Sequence, residues 1–213
     1  MNRRRLIRIT IHVISVIFTL PLLAQSAKVE GIGAVPGEIP ADVKAALEDK
    51  GYRVTLEDGW TAELWLAKDL KLSKKDVPAA LYPELSNSEF VGVINLPKGM
   101  SDFRGQSIPT GAYTLRYQLL PADANHLGVS PNPDFLLAIP IADDTKPEAQ
   151  YPFDKLVALS AKTTGTHPAV IAMDKAGEPG SVAHNDQMLV VTVSTGGAKP
   201  EKLGIVLKGQ AAQ

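Results

Sequence analysis

Along residues 109–120 the apolar positions fall on every second residue. Tyr113, Leu115, Tyr117 and Leu119 alternate with Thr114, Arg116 and Gln118, which predicts a strand with one buried and one solvated face. Pro109 and Gly111 supply the turn before it. Residues 135–139 are apolar on both parities, as in a strand covered on each side. These two runs predict the middle of a β-core. Elsewhere, residues 52–56 and 60–67 flank Glu57-Asp58-Gly59, the reversal signal of a β-hairpin. Residues 89–96, 168–173, 188–193 and 203–207 are short, β-branched and bounded by turn residues, with a further short piece near Val182.

Two stretches carry the helical period instead. From Pro40, residues Val43, Ala46, Leu47 and Lys50 share a face before Gly51; after Pro152, Phe153, Leu156 and Val157 share one before Gly165. Residues 68–88 are polar, with Pro78 and Pro83 interrupting any long helix, and predict a solvated connection. Gly105 and Pro109 predict an irregular approach to the central strand. Asp143, Asp144 and Glu148 predict a solvated acidic loop. The sum is a mainly β fold, an antiparallel β-sandwich of about eight strands with two short peripheral helices, forming one domain over residues 27–213.

The first 26 residues stand apart. Arg3, Arg4, Arg5 and Arg8 precede an apolar run over residues 9–24, and small Ala24 and Ser26 suit a cleavage site. A run of about 16 residues is short against the roughly 20 needed to span a bilayer, so an export signal cut after Ser26 is expected rather than an anchor. The expected compartment is therefore periplasmic or secreted. Losing that segment lowers Lys plus Arg from 22 to 18 against 23 Asp plus Glu, which leaves a mature charge of about −5 and argues against a nucleic-acid partner. With no cysteine, neither a disulfide nor a thiol nucleophile is available.

Candidate chemistry is sparse. No Gly-x-Ser-x-Gly elbow, dinucleotide fingerprint or phosphate loop occurs in the chain, so no cofactor is expected. His126, His167 and His184, with Asp186, are loop residues of the type that bind zinc or copper. Asp123, Asn125 and Asp134 partly mimic a calcium loop, but Leu127 stands at a ligand position. Among the aromatics, Trp60 at a hairpin tip and Tyr82 in a Pro-rich loop are expected to be exposed and able to stack on a ligand such as a sugar. The loop 121–133 combines Pro121, Pro131 and Pro133 with Asp123, Asn125, His126 and Asn132, a restrained backbone bearing donors and acceptors.

Pro109-Thr110-Gly111-Ala112-Tyr113-Thr114-Leu115, and Asn125-His126-Leu127-Gly128-Val129-Ser130-Pro131 leading into Asp134-Phe135-Leu136-Leu137, resemble exported bacterial β-sandwich proteins of the domain-of-unknown-function kind. That resemblance implies fold and export, and carries no activity. The expected function is an exported, non-catalytic module that binds a ligand or protein through its loops. A metal-binding periplasmic protein and a glycan- or peptide-acting enzyme stay open beside it.

Overall fold

Alternation along each strand decides which side chains meet, and here one parity from ten strands converges on a single interior. In the computed structural model, Val54, Leu64, Ile94, Leu115, Tyr117, Leu136, Ile171, Val191 and Ile205 all belong to one buried cluster. The structure describes residues 27–73, 77–120, 130–185, 188–196 and 199–209. The expected export segment, residues 1–26, lies outside them.

The strands are β1 Ala27–Ile32, β2 Gly51–Leu56, β3 Thr61–Leu66, β4 Phe90–Leu96, β5 Met100–Ser101, β6 Ser107–Ile108, β7 Gly111–Leu119, β8 Asp134–Pro140, β9 Ala169–Asp174, β10 Val182–Asn185, β11 Met188–Ser194 and β12 Lys202–Lys208. Two helices join them, α1 Ala41–Ala46 and α2 Phe153–Thr164. Ten strands form one antiparallel sheet in the order β1-β2-β3-β4-β7-β8-β9-β12-β11-β10, while β5 and β6 form a separate small hairpin. The sheet curls until β1 and β10 lie side by side, nearly closing a barrel, with its opposite walls packed across the core as the layers of a sandwich are. The mainly β, antiparallel class with two helices thus stands.

The seam is held by side chains. The Tyr52 hydroxyl donates to Ser194 O (3.1 Å) and accepts from Ser194 N (3.3 Å), so a phenol fills the place of a ladder rung. Glu48 Oε1 accepts from Gly196 N (2.9 Å) just beyond it.

Both helices cover outer faces of the sheet. Leu156 of α2 packs on Phe135, Leu137, Ile139 and Val170, which is why β8 is apolar on both parities. Ser160 and Thr163 on the same helix donate to Ala138 O, each at 2.9 Å. Gly165 ends α2 in a left-handed cap at φ 80°, as expected. α1 is shorter than its pattern predicts, because Leu47 is already extended and bridges Ala67, while Glu48 N bonds Leu66 O. Six uncapped residues cannot hold a helix against that sheet extension.

Three further expectations are corrected. The stretch before β7 holds the β5–β6 hairpin, organised by buried Asp102, whose carboxylate accepts from Arg104 N (3.0 Å) and Gln106 N (2.8 Å). Arg116, expected on a solvated face, is completely buried. Asp144, expected in a solvated loop, is buried against it.

Candidate ligand cleft at one end of the barrel

Strand registers place two sets of loops at opposite ends. One end carries the β2–β3 turn, the β5–β6 hairpin and the last residues of β12; the other carries Asp134, Asp174 and the segment 77–88. The second end is stoppered. Asp134 accepts from Leu81 N (2.7 Å), Tyr82 N (2.9 Å) and the Tyr117 hydroxyl (2.7 Å), pinning the segment over the core. Tyr82 then donates its hydroxyl to Asp174 O and accepts from Gly204 N, both at 2.7 Å. Burial pushes the Tyr82 phenol up to about 12, and burial followed by the Asp134 bond pushes Tyr117 up further.

The first end is open. A cleft of about 660 Å³ runs between the β2–β3 turn, the β5–β6 hairpin and the end of β12. It exists because β9 and β12 pair only at Gly204–Asp174 and Ile205–Met173 and then diverge, leaving the β5–β6 hairpin beside β12. Buried Ile108 anchors that hairpin to the core, and the Tyr113 hydroxyl fixes its exit by bonding Pro109 O at 2.8 Å.

Trp60 forms one wall, and local chemistry fixes its pose. Gly59 takes φ +72°, the left-handed geometry of the turn, and Asp58 Oδ1 accepts from Trp60 N at 2.8 Å. The indole Nε1 donates to Gly99 O at 2.6 Å, which tethers the ring to the β4–β5 turn. Two cations flank it. Lys98 Nζ bonds Gly59 O at 2.7 Å; Lys208 Nζ pairs with Asp58 Oδ2 at 2.9 Å and lies 5.8 Å from the indole centroid. The Lys208 hydrogen bond, then that from Trp60 N, holds the Asp58 carboxyl below the usual carboxylate range. Ser101, Ser107 and Thr110 complete the polar lining.

Elsewhere the buried charges are structural knots. Arg116 forks onto Asp144 through Nε (2.7 Å) and Nη2 (2.8 Å), while its remaining N–H groups reach Ser88 O, Lys146 O and Ala149 O at 2.7 to 2.8 Å. Thr114 and Tyr151 hydroxyls donate to the same carboxylate, and the Tyr151 ring stacks 4.8 Å from the guanidinium. Every donor of the fork is engaged, so the pair fastens residues 144–151 to β7. Glu89, buried beside Lys71, accepts from its backbone N at 2.9 Å; burial raises its carboxyl above the ordinary range.

The residues singled out from sequence separate accordingly. Trp60 is at the cleft, half-buried rather than exposed. Tyr82, also half-buried, belongs to the stopper. Asn132 lies at the stoppered end too, where its amide donates to Met173 O at 2.9 Å. Asp134, the last oxygen of the calcium-loop mimic, is occupied by the donors named above. Exposed His167 precedes β9 and exposed His184 sits on β10, with β12 and β11 between those strands. Among the described residues no group of three His, Asp or Glu is placed to hold a metal. Asp123, Asn125, His126 and Asp186 lie outside the described residues. Sequence reasoning missed Lys98 and Lys208, whose only signal was a lysine beside a glycine turn and another closing a strand.

No protein-family model, no curated protein and no solved structure matches this chain.

Proposed function

We propose that this is an exported, non-catalytic binding protein whose ligand enters the cleft at Trp60. The observation that carries this reading is the contrast between the two ends of the barrel. At one end the buried polar groups of the described residues are tied to the protein's own backbone. At the other, an indole held in place from two sides lines a cleft of about 660 Å³ beside two ammonium groups. A concave site with a fixed aromatic wall and a few convergent polar groups is the usual form of a small-ligand pocket. Export is supported by the arginine-led apolar run over residues 9–24. The surroundings expected are the periplasm or the extracellular medium.

Since the chain has no cysteine, a single introduced thiol can carry a fluorophore at a chosen place. Ser107→Cys reports on the cleft and Glu84→Cys on the stoppered end. Screened against a library of sugars, amino acids and organic acids, ligands should change the signal at position 107 and leave position 84 unchanged. Hits reporting only at position 84, or no hit at either, overturn the assignment of the cleft.

A further inference from the structure

We propose that the ligand of this cleft is an acidic saccharide, with a sugar ring against the part of Trp60 that lines the cleft and its carboxylate between Lys98 and Lys208. This rests on the cleft being the binding site. Three observations select the class. First, Trp60 is immobilised before any ligand arrives, because its backbone N–H is held by Asp58 and its indole N–H by Gly99 O. What it offers a ligand is therefore ring surface, and stacking on a preordered ring costs little conformational entropy.

Second, Ser101, Ser107 and Thr110 line the cleft, and none of their hydroxyls is engaged by another side chain or by backbone among the described residues. Each can donate and accept, which matches the mixed donors and acceptors of sugar hydroxyls. Third, two ammonium groups stand at the cleft although the mature chain is acidic: Lys98 and Lys208 flank a turn whose acids are Glu57 and Asp58. The Asp58–Lys208 pair is half exposed on its acidic side, and exposed pairs contribute so little that a ligand carboxylate can exchange for Asp58. Asp58 keeps its bond to Trp60 N after the exchange, so the wall survives. A neutral sugar brings no charge to the two ammonium groups. A bare anion leaves the indole uncovered.

The test uses the exported protein and three probes: trigalacturonate, the neutral trisaccharide maltotriose, and sodium sulfate. Binding is read by tryptophan emission and by calorimetry at roughly 20 and 300 mM NaCl. Trigalacturonate is expected to shift the Trp60 emission and to bind more weakly at the higher salt. Lys98→Met with Lys208→Met should weaken it about tenfold or more, and Trp60→Phe should remove the emission change while buried Trp65 still emits. Circular dichroism checks that each variant is folded; the lysine changes serve if the tryptophan change unfolds the turn. Maltotriose binding as tightly, with no effect of the lysine changes, overturns the acidic class but leaves the cleft as the binding site. Equal binding of sulfate overturns the saccharide. Silence of Trp60 to all three overturns the proposal, and the position-107 fluorophore then decides separately whether the cleft binds anything else.

Discussion

Replacing Arg116 by Met keeps most of the side-chain volume and removes the cation from the knot beneath residues 144–151. The change leaves the Asp144 carboxylate buried with only the Thr114 and Tyr151 hydroxyls as donors, and strips the bonds from Ser88 O, Lys146 O and Ala149 O. Breaking a buried pair by deleting one partner costs about 3 to 5 kcal/mol, mostly through the charge left behind. The carbonyls add less, because the loop can lift and let water reach them. For a chain of this size each kcal/mol lowers Tm by about 2 to 4 °C, so a drop of roughly 6 to 20 °C is expected. Urea unfolding gives the free energy directly, and hydrogen exchange should show residues 144–151 losing protection first. The double change Arg116→Met with Asp144→Leu removes the stranded charge and should recover part of the loss. A single-variant cost below about 1 kcal/mol, or a double variant less stable than the single, refutes the claim that this pair fastens the loop.

Two other outcomes follow from particular side chains. Burial raises the Glu89 carboxyl, so the folded state holds its proton above the ordinary value of 4.5 and stability contributed by this group declines as pH rises from there. Glu89→Gln should therefore melt higher than the parent at pH 7 and converge with it below about pH 4.5, and parallel curves across that range would contradict the assignment. Gly92 sits at the β4 bulge with φ +155°, and a Cβ there would lie 2.2 Å from Trp65 O. Gly92→Ala should cost about 3 kcal/mol or more, read from the denaturant midpoint, whereas a shift within about 0.5 kcal/mol would mean the backbone can yield.

The pattern of the chain reveals elements whose causes are local. Asp58-Gly59 specifies its hairpin, the doubly apolar run 135–139 specifies a strand covered on both sides, and Gly165 specifies the end of α2. What stayed hidden depends on partners distant in sequence. On β7 the parity of Thr114, Arg116 and Gln118 looks solvated, yet loop carbonyls and a carboxylate 28 positions beyond Arg116 cover it. A charge is buried only when its partners arrive together, and periodicity carries no record of them. The cleft is hidden for the same reason. Trp60, Lys98 and Lys208 meet only because β4 and β12 end where the β2–β3 turn does. The short β5–β6 hairpin, two residues on each side, is below the length at which alternation can register.

The phenol rung between Tyr52 and Ser194 joins residues 142 positions apart. A ribosome that has made β1 and β2 must still add most of the chain before either can meet its neighbour across the seam, so the barrel cannot be completed piecemeal. Until Ser194 emerges the seam cannot close, and a sheet that is not closed keeps an edge at which it can pair with the wrong chain. Among the described residues one tyrosine hydroxyl and one glutamate, rather than a full ladder, carry the hydrogen bonds across the seam, which commits fewer backbone groups there than along any paired strands of the sheet.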